Sequence, residues 1–314
     1  MTTNLPTYKP AITPIDLFLK NHPPPATLPS NGSSFGTITI NNNFLERMNT
    51  FGMAYFHILT VALYLAILYY SEAVYGVNAV YVNYFTTYEL FSIFANYYLA
   101  MKYPAYFKPV DVCELPNDTW SFCSYCQQKQ PPRCHHCPLC HKCISKRDHH
   151  CFFIGTCVGQ RNQGYFAVYC FHVAIGLYIG FGILSAVLSN TYYELLSWDF
   201  YHYIPPVTLF DVLKGHADFS TFMLVVLMCG SLVTGIFTVF LFLWQCFLIT
   251  CDLTTYDAQT AWNNNSMGII LSKLKPWYNI KAVFGVVPFL AFIFPLPIRN
   301  SKSVYSYRSN KSFL

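Results

Sequence analysis

The sequence has few charged residues for its length. Only 11% of its 314 residues are Asp, Glu, Lys or Arg, whereas an average soluble domain has roughly 25%. Because 54% of the residues are apolar, the chain lacks the polar groups needed to cover a soluble globular surface. This shortage excludes that class of protein and favours one embedded in a membrane. The 25 Tyr and 28 Phe agree, since aromatic rings with a polar edge are common at membrane interfaces.

The first 48 residues lack an amphipathic period, and they lack a basic start followed by an apolar core. A secretory signal peptide needs the second of these features. The segment is instead rich in Pro, Asn, Thr and Ser, a composition typical of chains that cannot bury enough apolar surface to fold. Residues 1–48 are therefore predicted to be a flexible tail.

Four apolar runs predict four transmembrane helices. The hydrocarbon core of a bilayer takes about 20 helical residues, and the runs at 52–70, 165–188 and 222–250 meet this length. A weaker run at 77–101 is also compatible with a buried amphipathic helix; we interpret it as a span whose polar side chains face other helices. Those polar residues are Asn78, Asn83, Glu89 and Asn96. The stretch 283–298 contains three prolines and is predicted to lie at the interface or against the bundle.

Lys and Arg are distributed unevenly along the chain. Eight lie in the insert 102–164, seven after residue 250 and three in the tail, whereas the loop 189–221 has one base and four acids. By the positive-inside rule, both termini and the insert are cytosolic and the loop is lumenal or extracellular. Reduced thiols persist on the cytosolic side, which agrees with a cysteine-rich insert there. Glycosylation would contradict this topology at any of the Asn-x-Ser/Thr sites, Asn31, Asn117, Asn264 and Asn310.

Eight of the thirteen cysteines lie within 35 residues and are interleaved with five histidines. Disulfide frameworks do not need histidine, whereas zinc sites do. Cys-x2-Cys spacings place two thiolates on one tight turn, within reach of one ion, and several of them close together strongly indicate zinc. The cluster has too many ligands for one tetrahedral site. Two sites would use eight ligands and leave a few groups free.

The motif Asp148-His149-His150-Cys151 resembles that of the DHHC family of protein S-acyltransferases, also called palmitoyltransferases. The similarity to the family's cysteine-rich domain covers residues 123–166, and two further motifs lie in the C-terminal region. The other matching residues are Arg133-Cys134-His135-His136-Cys137, Cys157-Val158-Gly159, Asn162, Thr254-Thr255-Tyr256-Asp257, and Asn279 with Val283-Phe284-Gly285.

Together, the apolar runs and the resemblance predict an all-α polytopic membrane protein. Four transmembrane helices would carry a small two-zinc, cysteine-rich cytosolic insert between helices 2 and 3. The predicted segments are the tail 1–48, helices 1 and 2 at 49–101, the DHHC domain at 102–164, helices 3 and 4 at 165–250 and a cytosolic C-terminal region at 251–314.

The resemblance implies two structural Zn²⁺ ions. One would be held by Cys123, Cys126, His136 and Cys143, and the other by Cys137, Cys140, His150 and Cys157. Cys134, His135 and His141 receive no ligand role.

The resemblance also implies that Cys151 is the nucleophile, because it is left without a metal. Successive side chains of an extended segment point to opposite faces, so His150 can turn to zinc while His149 faces Cys151. His149 would take the proton from Cys151, and Asp148 would orient His149 and stabilise its charged form. The alternative, direct activation of Cys151 by zinc, is disfavoured because both coordination spheres are filled.

The reaction implied is transfer of a long-chain acyl group from acyl-CoA, such as palmitoyl-CoA, through acyl-Cys151 to cytosol-facing cysteines of membrane-associated proteins. The lipid bilayer is an expected partner and nucleic acid is not. Lys146, Arg147 and Arg161 are candidates for contacts with the CoA phosphates, although ordinary solvated bases would have the same pattern. The expected location is the Golgi or endoplasmic reticulum, with the plasma membrane as the alternative.

Three places depart from the common family pattern. Phe152-Phe153 replace Pro-Trp after the nucleophile, Gly155-Thr156 replace Asn-Asn, and Asp257 replaces Glu. The main rival is a zinc-stapled membrane adaptor with weak or no catalysis, which would need only the eight zinc ligands and not the intact group of Asp148, His149 and Cys151. A metal transporter would need ligands within the spans, and a membrane ubiquitin ligase would not need an unligated ninth cysteine.

Overall fold

The structure is a computed structural model that describes residues 42–108, 120–272 and 274–295. Helices make up most of it. The four long helices are α1 (Asn42–Tyr75), α2 (Ala79–Lys102), α3 (Gln163–Thr191) and α5 (Phe219–Cys251). The short helices are α4 (Pro205–Leu213), α6 (Thr255–Asn263), α7 (Met267–Ser272), α8 (Pro276–Phe284) and α9 (Leu290–Ile293), with 3-10 helices at Gly76–Asn78 and Trp198–Tyr203.

Three helical stretches of the described chain are long and apolar enough to cross a membrane, namely Phe44–Lys102, Gln163–Thr191 and Phe219–Cys251. Only 28% of the most apolar part of the last stretch is buried within the fold. Large side chains such as Phe240 and Leu243 therefore face outward. Continuous exposed apolar surface is unfavourable in water, but in a bilayer it contacts lipid tails. The chain is a membrane protein, as its composition predicted.

The first of these stretches consists of two helices that fold back on each other at Gly76. A continuous helix of its 59 residues would be about 88 Å long, about twice the thickness of a whole bilayer. Instead, α1 ends before Gly76, whose φ is +54°, a conformation that glycine adopts without steric cost. α2 then runs back along α1, and Tyr64 OH lies 3.1 Å from Thr87 Oγ1.

Polar residues of α2 face the other helices, as predicted for Glu89 and Asn96. Each of the two is only 2% exposed. Asn96 Nδ2 donates to the Ser92 carbonyl at 2.9 Å, and Glu89 Oε2 lies 2.8 Å from His172 Nδ1 on α3. Asn78, in contrast, is exposed in the turn before α2. A buried carboxylate and imidazole thus connect two of the long helices.

His172 also holds the C-terminal segment. Its Nε2 lies 3.0 Å from the carbonyl of Phe292, and because a carbonyl only accepts, this nitrogen carries a hydrogen. Tyr88 OH donates to the carbonyl of Ile293 at 2.6 Å, and the Phe292 ring packs against Phe171 and Phe242. As far as residue 295, the stretch 283–298 is packed against the bundle, one of the two placements predicted for it.

We expect Glu89→Leu to destabilise the folded protein, because it leaves Nδ1 of the buried His172 without its partner. An unsatisfied buried polar group costs about 1–3 kcal/mol, so the melting temperature in detergent should fall. Glu72 is an exposed acid in the same helical hairpin, and Glu72→Leu is the matched control with no expected change. Equal melting temperatures for the two variants would contradict a stabilising role of the Glu89–His172 pair.

The loop predicted at 189–221 is folded around a buried acid. It contains the 3-10 helix Trp198–Tyr203 and helix α4. Asp211 on α4 is 4% exposed and accepts hydrogen bonds from Tyr192 and His202. These contacts join the end of α3 to the loop. Glu194 and Asp199 are exposed at the surface of the loop.

The insert departs from the all-α fold class that the sequence predicted. Its described part forms three separate two-stranded antiparallel hairpins. Their strands are β1 (Ser121–Cys123), β2 (Gln128–Gln130), β3 (His135–Cys137), β4 (Lys142–Ile144), β5 (His149–Cys151) and β6 (Thr156–Val158). Each strand has three residues, too few to show a period-2 pattern in the sequence. The fold is mostly helical, with a small β-hairpin insert.

Some predictions concern residues outside the described ranges. The flexible tail lies outside them up to residue 41, whereas its last residues, 42–48, are the first two turns of α1. The glycosylation sites at Asn31, Asn117 and Asn310 and the chain after residue 295 also lie outside. Asn264, the fourth site, is described and follows the end of α6.

Candidate active site

The first two hairpins have the same turn, built on a Cys-x2-Cys sequence. In each turn, the residue after the second cysteine has a positive φ, namely Gln127 after Cys126 and His141 after Cys140. This conformation turns the chain back into the second strand, and Cys126 N lies 3.4 Å from Cys123 Sγ. Histidine adopts positive φ more readily than most residues. His141, which received no ligand role, therefore has a place in the backbone turn.

The structure groups the eight expected ligands into two sets of four, and within each set the ligand atoms lie within 4.8 Å of one another. Strand register contributes to both groupings, because His136 is opposite Cys143 and His150 is opposite Cys157. The first set is Cys123, Cys126, His136 and Cys143, and the second set is Cys137, Cys140, His150 and Cys157. These are the two sets that the resemblance implies.

The second set has the dimensions of a tetrahedral zinc site. Usual Zn–S and Zn–N bond lengths place two sulfurs about 3.8 Å apart, and a sulfur and a nitrogen about 3.6 Å apart, in a tetrahedron. Cys140 Sγ and Cys157 Sγ are 3.7 Å apart, and the three sulfurs lie 3.6, 3.4 and 3.7 Å from His150 Nδ1. In the first set, Cys126 Sγ lies 3.2 Å from His136 Nδ1. Both sets could hold a metal ion.

The other ring nitrogen of His150 is also engaged. His150 Nε2 lies 2.9 Å from Asn49 Oδ1 on α1. The amide oxygen can only accept, so Nε2 carries the hydrogen and Nδ1 keeps its lone pair toward the sulfurs. Such a partner fixes the tautomer and ring orientation of a metal-binding histidine. A residue 101 positions earlier in the chain therefore orients this candidate ligand.

Two further residues of the cluster lie outside both sets. Cys134 is 1% exposed, and burial together with the neighbouring Cys143 raises the pKa of its thiol above the usual range. A protonated buried thiol packs as a small apolar group. Burial lowers the pKa of His135, whose ring lies 5.8 Å from that of Tyr256. The packing of both residues agrees with their having no ligand role.

Strand β5 separates the candidate nucleophile from the metal sets. His149 and Cys151 share one face of the strand and His150 points to the other. Cys151 is 5% exposed and belongs to neither set. Its hairpin turns at Gly155, where φ is +63° and an added Cβ would come within 2.8 Å of Met53 Sδ on α1. This departure from the common family pattern thus places a glycine where the backbone has a positive φ, which glycine adopts without steric cost.

Asp148 and His149 form a hydrogen-bonded pair beside Cys151. His149 Nδ1 lies 2.9 Å from Asp148 Oδ2, which leaves Nε2 as the nitrogen available to Cys151. Burial would raise the pKa of Asp148, but hydrogen bonds from His149 and Thr255 and the charge of His149 hold it at about 2. Burial would lower the pKa of His149, but its interactions with Asp148 and Cys151 raise it to about 9. The pair therefore favours an aspartate and an imidazolium.

Two partners of Asp148 were not predicted from the sequence. Gln245 Nε2 on α5 donates to Asp148 Oδ2 at 2.8 Å, and the backbone N–H of Thr255, at the start of α6, donates to Oδ1 at 2.7 Å. These residues come 97 and 107 positions after Asp148. Thr255 belongs to a motif of the resemblance, whereas a glutamine within an apolar run gave no recognisable signal.

Asp257, which stands in place of the usual Glu, still joins the C-terminal region to the insert. It closes a capping box at the start of α6, because Thr254 N donates to Asp257 Oδ2 at 2.9 Å and Asp257 N donates to Thr254 Oγ1 at 3.1 Å. The same carboxylate lies 2.8 Å from Arg133 Nη2. The shorter side chain therefore reaches both the helix cap and a base of the insert.

The bases considered for CoA binding have protein partners. Lys146 Nζ lies 2.7 Å from Asp252 Oδ1 at the end of α5, and its side chain is 15% exposed. Burial would lower the pKa of the Arg147 guanidinium, but its interactions with the Cys157 and Cys137 thiolates raise it. Arg161 is partly buried and also interacts within the protein. Contacts between these three residues and CoA phosphates stay a prediction.

The two asparagines of the motifs that resemble the family connect separate elements of the fold through hydrogen bonds. Asn162 Nδ2 donates to the carbonyls of Ala100 and Cys157, each at 3.0 Å, and its Oδ1 accepts from Gly159 N at 2.9 Å. Asn279 Nδ2 donates to the carbonyl of Thr250 at 2.8 Å. The first side chain connects α2, the insert and α3, and the second joins α8 to the end of α5.

Cys151 lines a cavity between the long helices. The cavity is also lined by aromatic, aliphatic and hydroxyl side chains of α1, α3 and α5, and by Phe153, one of the two phenylalanines after the nucleophile. Tyr55 and Phe56 come from α1, Tyr169 from α3 and Thr238 from α5. A second cavity shares Thr60, Val173 and Leu177 with the first. Cys151 thus faces an apolar space within the helical bundle.

The fold and site define a membrane protein with two Cys3His clusters able to hold metal ions, set beside a buried cysteine and an Asp–His pair. The family model described as DHHC palmitoyltransferase matches residues 116–261, which contain both clusters, α3, α5 and most of α6. Residues 116–261 therefore match a domain of this family, which confirms the resemblance seen in the sequence. A search of the curated proteins found no match.

Proposed function

We propose that the chain is a protein S-acyltransferase that carries a long-chain acyl group from acyl-CoA to cysteines of membrane-associated proteins through acyl-Cys151. The observation that carries this proposal is the position of Cys151. It lies outside both candidate metal-binding sets, on the same strand face as His149, and it lines an apolar cavity. An adaptor that needed only the two metal sites would have no use for this arrangement.

In the first stage, Cys151 loses its proton to His149 Nε2, and its sulfur attacks the thioester carbonyl of acyl-CoA. A new C–S bond to Cys151 forms as the bond to the CoA sulfur breaks. The departing CoA thiolate then takes from His149 the proton that Cys151 had given up. Asp148 holds Nδ1–H of His149, so that Nε2 stays directed at Cys151. Zinc, when bound to the two sets, would supply folding energy to the hairpins that hold these groups.

In the second stage, a cysteine of the acceptor protein gives its proton to His149 and attacks the acyl-Cys151 carbonyl. The acyl group passes to the acceptor, and the Cys151 thiolate is reprotonated by His149. Both stages use the same base, which is typical of ping-pong covalent catalysis. The acceptor cysteine must reach the cytosolic end of the bundle, so we expect acceptors to be membrane-associated proteins with cytosol-facing cysteines.

The apolar cavity offers a place for the acyl chain. Each buried CH2 group gains about 0.8 kcal/mol relative to water, so a long chain needs continuous apolar surroundings while it is attached to Cys151. We propose that α1 and α2 are two spans rather than one, because the chain reverses between them at Gly76. The four spans then place the insert and both termini in the cytosol, following the distribution of Lys and Arg.

The predicted segment boundaries, the Golgi or endoplasmic reticulum location and the CoA contacts belong to this proposal. Of the three bases, Lys146 would have to exchange its contact with Asp252 for a CoA phosphate. Such an exchange is compatible with the exposure of Asp252, whose side chain is 57% exposed. Arg147 would contact CoA only from its position beside the second metal set.

We expect the purified protein, kept in detergent with zinc, to form a covalent adduct with an alkyne-tagged palmitoyl-CoA. The adduct should be removed by neutral hydroxylamine, because it is a thioester, and peptide mapping should locate it at Cys151. A heat-denatured sample of the same protein is the control for chemical acylation. Folded, zinc-loaded protein that never forms the adduct would contradict the enzyme and leave the adaptor as the better interpretation.

A further inference from the structure

Gln245 occupies an unusual environment for an amide. It lies in the apolar helix α5, six residues before the end of that helix, and it is 0% exposed. An amide buried without partners is costly in apolar surroundings, yet both ends of this amide are hydrogen-bonded. Nε2 donates to Asp148 Oδ2 at 2.8 Å, and Oε1 accepts from Gln163 Nε2 at 3.1 Å.

The orientation of the Gln245 amide follows from its two partners. An aspartate oxygen can only accept, so the NH2 group must face Asp148 and the carbonyl oxygen must face Gln163. Gln163, at the first position of α3, is itself only 3% exposed. A directed chain of hydrogen bonds therefore runs from α3 through α5 to the carboxylate of Asp148.

Asp148 Oδ2 is shared between Gln245 and His149. His149 Nδ1 lies 2.9 Å from this oxygen and Gln245 Nε2 lies 2.8 Å from it, while Thr255 N holds the other oxygen at 2.7 Å. Three donors thus fix the plane of the carboxylate. If the carboxylate rotated, Oδ2 would leave Nδ1 of His149, and the imidazole would lose the contact that keeps Nε2 toward Cys151.

We propose that Gln245 is a positioning residue for the acyl-transfer site, which holds Asp148 in the orientation that aligns His149 with Cys151. The proposal rests on the proposed function for its role in acyl transfer. Gln163 supports it from one hydrogen bond further away. The two glutamines belong to helices with extensive mutual packing, so the alignment of the cytosolic site is fixed from within the helical bundle.

The test compares variants of Gln245 and Gln163 in the full-length, zinc-loaded protein. Gln245→Met keeps the length of the side chain and removes both hydrogen bonds, and Gln245→Leu removes them with a shorter side chain. Gln163→Met is the matched control, since it removes the same kind of amide at a position one hydrogen bond further from Asp148. For each variant, zinc content and melting temperature identify the folded samples.

Two rates are then measured at pH 7.5. The first is single-turnover acylation of Cys151 by palmitoyl-CoA, and the second is alkylation of Cys151 by iodoacetamide in the absence of acyl-CoA. Alkylation depends on the thiolate, so it reports proton transfer to His149 and would not respond to a contact that only stabilises packing. We expect a folded Gln245 variant to lower both rates about tenfold, and Gln163→Met to lower them two- to threefold.

A folded Gln245→Met or Gln245→Leu protein with wild-type rates would overturn the positioning role, as would equal losses for Gln245→Met and Gln163→Met. Failure of the proposed function has a different result, because wild type would then not be acylated at all. In that case the alkylation rates still decide the role of Gln245, since they do not require acyl-CoA.

Discussion

Replacing Cys151 with serine should abolish acylation by palmitoyl-CoA while leaving the protein folded. A serine hydroxyl stays protonated beside His149, because its pKa lies far above that of a thiol, and the attacking anion is lost. Removal of a covalent nucleophile lowers catalysis by roughly 10⁴-fold or more, so the adduct should fall to background. Since Cys151 lies outside both metal-binding sets, zinc content and melting temperature should match wild type.

The matched controls for this experiment are two other buried cysteines. Cys134 lies in the same insert, and Cys170 lines the same cavity as Cys151. Cys134→Ser and Cys170→Ser should form the adduct at close to the wild-type level. A Cys151→Ser protein that forms the adduct as well as wild type would contradict an acyl-Cys151 intermediate. Loss of the adduct only in Cys170→Ser would identify Cys170 on α3 as the nucleophile instead.

Replacing Cys137 with alanine should remove one zinc ion and inactivate the protein. Cys137 is 0% exposed and belongs to the second set, which includes His150. Structural zinc sites contribute about 10–16 kcal/mol of apparent binding energy to folding, and three ligands hold the ion far less tightly than four. Without the ion, His150 is no longer held to the cysteines of the second set. Its neighbours His149 and Cys151 then lose their fixed positions.

Zinc content measured by mass spectrometry should fall from two ions per chain to one in the Cys137→Ala protein, with acylation lost and the insert open to protease. Cys134→Ala is the control directly before the same hairpin, since Cys134 lies in neither set, and it should keep two ions. Cys126→Ala should also lose one ion, but with a smaller effect on acylation because the first set contains no residue of β5. A Cys137→Ala protein with two tightly bound ions would contradict the assignment.

The parts of the site that lie close together in the sequence could be predicted. The side-chain positions of the Cys-x2-Cys and DHHC motifs depend mostly on local structure, because a tight turn or a three-residue strand sets them. The separation of His149 from His150 followed from the alternation of a single strand. Apolar runs of sufficient length likewise indicated membrane helices.

The parts that depend on the register between distant segments could not be predicted. Asn49 and Gln245 are ordinary amides in helical stretches, and nothing local shows that they meet His150 and Asp148. Each contact joins residues about 100 positions apart, and its formation depends on how the helices are rotated and shifted against one another. The three hairpins were missed for another reason, since three-residue strands are too short to give a periodic signal.

The distance in sequence between Asp148 and its partners has a consequence for biosynthesis. While the chain is being made, the hairpins can fold and take up metal before Gln245 and Thr255 have left the ribosome. Until α5 is inserted in the membrane and α6 has formed behind it, the carboxylate has only its neighbour His149 for a partner, and the thiol has no complete cavity. In an incomplete chain, Cys151 would therefore lie in a folded hairpin while His149 is not yet aligned with it. The thiol would become reactive only when the last of the four long helices is in place.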